Sequence, residues 1–190
     1  FPHGIHVDQD GNVWVTDPVL NDGRGVGANG IGSDVIKFSA EGDVLLTLGT
    51  PGVKGNDANH FSGPSDVVVG NDGHIFVADG HGPGTNERIM KFDRDGNFLM
   101  QWGEPGDGPC GANQFSSLHA LEIDSQGRLF VGDRDNNRIQ IFDQDGAYLA
   151  CWYQFSRPSG IHIDQDDNIY VADSESSDRP DAGGPPHGDW

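Results

Sequence analysis

Cations, sulfur and long apolar runs are what this sequence has little of. Eleven Lys and Arg stand against thirty Asp and Glu, a formal charge of −19 with His neutral. A field of that sign repels phosphate backbones, so nucleic acid is set aside as a partner and anionic membrane surfaces are disfavoured. No apolar stretch approaches the roughly 18 residues that a membrane helix needs, so no membrane span is expected. Cys110 and Cys151 are too few for a disulfide framework. Spacing alone says nothing about their geometry, and they are read as unbridged. The compartment stays open on this composition, with an extracytoplasmic or secreted setting preferred. The chain opens at Phe1-Pro2-His3, already inside a repeat, and reads as a piece of a longer protein.

Turn chemistry is what the sequence has in abundance. Its 29 glycines and its recurring Asp/Gly/Asn clusters favour an all-β domain over a helical one. One half-repeat occurs four times, at residues 4–17, 66–79, 120–133 and 160–173. Each is a β-branched run, a polar turn, a second run and a closing Asp. Asp10-Gly11-Asn12, Asp72-Gly73-His74, Gln126-Gly127-Arg128 and Asp166-Asp167-Asn168 read as the hairpin turns. A second half-repeat follows three times, at residues 35–49, 88–103 and 138–153, again two runs around an acidic-Gly turn. Four strands per unit at intervals of 40 to 62 residues is the pattern of β-propeller blades.

The blades fall at about 1–49, 61–103 and 115–153, with half a blade at about 156–173 and a Pro/Gly/Asp-rich loop or tail at 174–190. Three and a half blades do not close a ring, and an open ring exposes strand edges and apolar faces. A six-bladed ring needs roughly 280 residues at about 42 per blade. The closing acids Asp17, Asp79, Asp133 and Asp173 recur in every blade, which points to turn-holding hydrogen bonds rather than catalysis. Asp8-Gln9-Asp10-Gly11 and Asp93-Arg94-Asp95-Gly96 are turns too, without the bidentate Glu of a calcium loop. Residues 25–30 match a dinucleotide fingerprint by letters only, because they lead into a strand.

In a propeller the innermost strand of each blade lines the central channel. The position just before each innermost strand holds His3, Ser65, His119 and Ser159, preceded by Pro2, Pro64, Leu118 and Pro158. In a six-bladed ring, His3 and His119 lie a third of a turn apart, and a third His from blade five would complete a trigonal set. Three nitrogens with one open position is the arrangement of catalytic zinc. His6 and His162 share a second column that Val68 and Glu122 interrupt, so packing or solvent contact is expected there. His74 sits in a hairpin turn, His60 precedes a strand and fixes a loop, and His187 lies in the tail.

These motifs resemble NHL repeats, and residues 1–153 are similar to the lyase domain of peptidyl-glycine amidating enzymes. The resemblance is carried by Pro2-His3-Gly4 with Trp14-Val15-Thr16-Asp17, by Asn59-His60-Phe61, and by Pro64-Ser65-Asp66-Val67. Asp79-Gly80, Gln101-Trp102-Gly103, Leu118-His119-Ala120 and residues 133–140 carry the rest. It implies zinc held by His3, His119 and a third His two blades later, a structural calcium in the channel, and cleavage of peptidyl-α-hydroxyglycine to an amide and glyoxylate. At the position of the family's catalytic tyrosine stands His81, which becomes the candidate general base. The expectation is therefore a zinc-dependent lyase-like propeller acting on a small-molecule or peptide substrate. The alternative is a non-catalytic NHL scaffold that binds a protein or glycan on its loop face. A calcium-dependent lactonase-like hydrolase is a third option, against which the Ser/His column argues.

Overall fold

A computed structural model describes residues 2–18 and 32–174; the dinucleotide-like segment at 25–30 and the tail with His187 lie outside them. The described residues form strands, turns and connecting loops, with no helix. Strands β1 (Ile5–Val7), β2 (Val13–Asp17), β3 (Asp34–Phe38) and β4 (Val44–Gly49) make one antiparallel sheet in sequence order. The next sheet holds β5 (Pro64–Val69), β6 (Ile75–Asp79), β7 (Arg88–Phe92) and β8 (Phe98–Trp102). Two short segments, β9 (Glu104–Pro105) and β10 (Gln114–Phe115), pair in parallel between blades, a feature that the repeat pattern does not announce. The third sheet holds β11 (Leu118–Ile123), β12 (Leu129–Asp133), β13 (Arg138–Phe142) and β14 (Tyr148–Trp152). A final pair, β15 (Pro158–Ile163) and β16 (Ile169–Asp173), is half a blade.

The sheets stack face to face, so the middle strands of the inner blades are covered on both sides. Every residue of β6, β7, β12 and β13 is buried. Trp14, Val35, Val67 and Met90 fill the space between the first two blades. Phe76, Trp102, Leu121 and Phe142 do so between the second and third. In β2 and β16 burial alternates residue by residue, because one face of each has no blade beside it among the described residues. Ile5 and Tyr170 are 66% and 56% exposed on these faces.

The closing acids act as turn locks. Asp79 Oδ1 accepts the Ser62 and Gly63 amides at 2.8 and 2.9 Å, and its Oδ2 meets Arg88 Nε at 3.1 Å. Asp133 repeats this with the Ser116 amide at 2.8 Å and Arg138 Nε at 2.7 Å. Asp173 accepts the Ser156 and Arg157 amides at 2.9 and 2.7 Å. The acidic-Gly hairpins are likewise turns: Asp93 Oδ1 accepts the amides of Asp95 and Asn97, which occupies the carboxylate locally.

The cysteines correct the sequence reading. Cys110 and Cys151 form a disulfide, with Cα atoms 6.1 Å apart. The loop between β9 and β10 folds back over blade three, where Arg138 Nη1 holds the Gly108 carbonyl at 2.7 Å. That fold-back carries Cys110 to Cys151, which lies on β14 opposite Gln140 of β13. Their 41-residue separation gave no sign of this approach.

Candidate metal centre

The innermost strands β1, β5, β11 and β15 lie side by side around the channel. Three of the four column residues sit at an irregularity in their strand. Register shifts fall between Pro64 and Asp66, between Leu118 and Ala120, and between Pro158 and Gly160. Each leaves Ser65, His119 or Ser159 as the extra residue, and a bulge of this kind re-aims a side chain out of the sheet pattern.

His3 is fixed by two hydrogen bonds, and a third braces the carbonyl that its ring meets. Its amide donates to the Thr16 carbonyl at 2.9 Å, and its Nδ1 lies 2.8 Å from the Ser65 carbonyl. The Thr16 hydroxyl donates to the same carbonyl at 3.0 Å. Gly4 allows this approach, since a Cβ there would stand 2.6 Å from the Ser65 carbonyl oxygen. His119 Nδ1 lies 2.7 Å from the Ser159 carbonyl. A carbonyl only accepts, so both rings carry their proton on Nδ1 and keep the Nε2 lone pair free. That is how metal-binding imidazoles are commonly oriented.

His81 enters from the loop after β6. Its amide donates to the Gly63 carbonyl at 2.9 Å, and a Cβ on Gly63 would crowd the His81 backbone at 3.1 Å. The result is a cluster: one ring nitrogen each from His3, His81 and His119, all within 4.8 Å of one another. Ring centroids are 4.3 Å apart for His3 and His81, 4.7 Å for His3 and His119, and 5.1 Å for His81 and His119. His81 Nδ1 is buried without a hydrogen-bond partner. The structure thus brings together the two expected ligands and the expected base.

The electrostatics suit neutral imidazole. Burial pushes His81 down to about 4, and the charges of His3 and Arg134 add to it. Burial likewise lowers His119 to about 4, with His3, His81 and Arg134 contributing, while the Ser159 carbonyl opposes. His3 is lowered by burial, against the hydrogen bond to Ser65. Three neutral nitrogens suit zinc, whereas calcium takes oxygen ligands. A tetrahedral zinc with nitrogens at about 2.0–2.1 Å spaces them about 3.4 Å apart, so closing the set takes shifts of about an ångström. Among the described residues this is the one cluster of metal-binding side chains.

Arg134 is the residue that sequence reading missed. It follows the closing Asp of blade three, where the other blades carry Pro18, Gly80 and Ser174. Its side chain is 16% exposed, and its charge acts on all three imidazoles. A lone cation in that column was the available signal. The other histidines stay apart from the cluster. His6 Nε2 accepts the Val69 amide at 3.3 Å, His60 and His74 pair with Asp57 and Asp72, and His162 stacks on Tyr170.

Comparison with known proteins agrees with this architecture. The NHL repeat model matches residues 61–86, 115–142 and 155–177. Peptidyl-glycine alpha-amidating monooxygenase B of Xenopus laevis is 43% identical over 71% of this chain and 14% of its own length. Human NHL repeat-containing protein 3 is 38% identical over 70% of this chain and 36% of its own. A probable peptidyl-alpha-hydroxyglycine alpha-amidating lyase of Caenorhabditis elegans is 41% identical over 53% and 25%. The chain therefore spans a minor part of each relative. A virginiamycin B lyase structure from Staphylococcus aureus superposes with a TM-score of 0.58 at 16% identity, over 90% of this chain and 48% of that one, which shows the fold alone. The chain is an NHL-repeat β-propeller whose homologues include the peptidylglycine alpha-amidating monooxygenases and the peptidyl-alpha-hydroxyglycine amidating lyases.

Proposed function

We propose that this chain holds a zinc centre on His3, His81 and His119 and belongs to a lyase that cleaves peptidyl-α-hydroxyglycine, or a related small α-hydroxylated amide. The observation that carries this is the convergence of three imidazole nitrogens within 4.8 Å at the channel, two of them oriented by backbone carbonyls. Bound zinc supplies Lewis acidity toward the substrate hydroxyl. In the net reaction the hydroxyl gives up its proton and its carbon–oxygen bond becomes the glyoxylate carbonyl. The carbon–nitrogen bond breaks, its electron pair passes to the amide nitrogen, and that nitrogen takes up a proton.

The chain's own part is orientation. The Ser65 and Ser159 carbonyls keep Nε2 of His3 and His119 facing the centre. Arg134 supplies the positive charge that a substrate carboxylate needs beside the rings. His81 is placed among the ligands instead of acting as the general base. Its ring lies against both other imidazoles, and a group titrating near 4 is a weak base at neutral pH. The Cys110–Cys151 disulfide supports an oxidising, extracytoplasmic setting.

The second reading is a scaffold that binds a protein or glycan on its loop face, since a relative whose name, NHL repeat-containing protein 3, gives repeats and no reaction is as similar as the lyases. One experiment separates them: the intact protein is incubated with a peptide ending in α-hydroxyglycine, and glyoxylate is followed with and without a chelator. Release that the chelator stops and added zinc restores is the expected result. No release from folded, zinc-loaded protein overturns the lyase reading. Ligand capture that survives both chelation and His3→Ala would support the scaffold.

A further inference from the structure

The backbone enters β3, β7 and β13 through the same left-handed step, at Ser33, Glu87 and Asn137, with φ of 59°, 50° and 53°. All three residues are buried. Left-handed backbone favours Gly, and among other residues those whose short polar side chain bonds locally, such as Asn. Glu has the longer chain, and its carboxylate is not held by the backbone of its own turn but lies beside the Thr85 hydroxyl and the next blade. Blade two nevertheless carries it, with its carboxylate buried and pushed up to about 7, chiefly by that burial.

The carboxylate reaches across to the next blade. Glu87 Oε2 accepts the Leu118 amide at 3.1 Å, one residue before His119. Its Oε1 lies 3.2 Å from the Thr85 hydroxyl, which also sits 2.7 Å from the Gly82 carbonyl in the loop that carries His81. Gly80 makes the room: a Cβ there would stand 2.6 Å from Glu87 Oε2. The column explains why blade two alone has this contact. The residues equivalent to Leu118 are Pro64 and Pro158, which have no amide hydrogen, and they follow blades that carry Ser33 and Asn137 at the step.

We propose that Glu87 is a positioning residue of the metal centre, tying the loop that carries His81 to the strand that carries His119 and so setting the spacing of two imidazoles from different blades. Apolar packing between blades tolerates small shifts, whereas a buried charge-assisted hydrogen bond fixes a distance. The inference rests on the metal reading above.

Cobalt(II) titration of the intact protein, read by its visible d–d bands, tests it. Glu87→Asn copies the residue of blade three and suits the backbone, so folding is kept. Supporting groups of this kind are typically worth about 10–100-fold in metal affinity, and Glu87→Asn is expected to lose about 10-fold or more with altered band positions. Glu87→Gln keeps an acceptor for the Leu118 amide and turns its amino group toward the Thr85 oxygen, whose own proton then goes to the Gly82 carbonyl, and it stays within about 3-fold. Thr85→Val removes the hydroxyl that joins Glu87 to the His81 loop and leaves Glu87 on the Leu118 amide, so thermal stability changes little while cobalt affinity falls. If Thr85→Val binds cobalt as the wild type does while Glu87→Asn loses affinity, Glu87 only satisfies the amide of the next blade and the proposal falls. Wild-type affinity in Glu87→Asn alone also overturns it. A wild-type protein that binds no cobalt overturns the metal reading itself.

Discussion

Replacing Asp79 with Ala should be among the most damaging single changes in the chain. The carboxylate is fully buried and has four donors: the Ser62 and Gly63 amides, Asn86 Nδ2 and Arg88 Nε. Removing one partner of a buried pair costs about 3–5 kcal/mol, because the other charge stays behind unpaired. Arg88 keeps the Asn56, Asp57 and His60 carbonyls and the Gln101 side chain, which holds its share to the lower end. The two orphaned amides add about 1 kcal/mol or more each, reduced where water reaches them. The sum is about 4–5 kcal/mol. Asp79→Asn retains an acceptor and should cost about half as much. Asp145→Ala is the control: this carboxylate meets Lys91 at 3.0 Å but is 82% exposed, and should cost less than about 1 kcal/mol. Urea unfolding of the intact proteins reads all three. The loss should also reach the metal centre, since the Gly63 carbonyl holds the His81 amide. Asp79→Ala within about 1 kcal/mol of wild type would refute the reasoning.

Five further outcomes follow from the site and the disulfide. His81→Ala should weaken zinc binding by at least about 100-fold, as should His3→Ala and His119→Ala, in competition titrations. Metal affinity should hold steady from pH 8 to about 5 and fall toward 4, because His81 and His119 titrate near 4 instead of 6.5. For the metal-free protein the sign is the same: folded values lie below unfolded ones, so stability present above 6.5 is lost as pH falls toward 4, measurable by urea unfolding across that range. Arg134→Ala should raise KM about 10-fold or more for a substrate with a free carboxylate, and much less for its ester. Cys151→Ser should cost about 2–4 kcal/mol, as expected for opening a loop of this length.

The fold was legible because period and turn chemistry agree at every blade. Hairpins such as the one around Gly11 and locks such as Asp79 and Asp133 are local, and local rules predict them. The His3 and His119 column was legible for the same reason, since equivalent positions in repeats share a place. What the sequence hid is what depends on contact between non-equivalent segments. His81 stands outside the repeat register, on a loop whose course is set by Gly63 and Thr85, so only the family resemblance singled it out, as a base, and no periodic signature placed it against His3. Cys110 reaches Cys151 only because an inter-blade loop doubles back. Arg134 was visible as a break in a column, but the meaning of that break needed the three rings beside it.

In the proposed centre, three imidazoles of this chain hold one zinc ion. Crystals of the intact protein, grown with zinc and measured on both sides of the zinc absorption edge, test it most directly. One channel peak is expected in the anomalous difference map, with His3, His81 and His119 nitrogens at about 2.0–2.1 Å. A zinc peak bound by His3 and His119 with His81 turned away, or no peak in the channel at all, would contradict it.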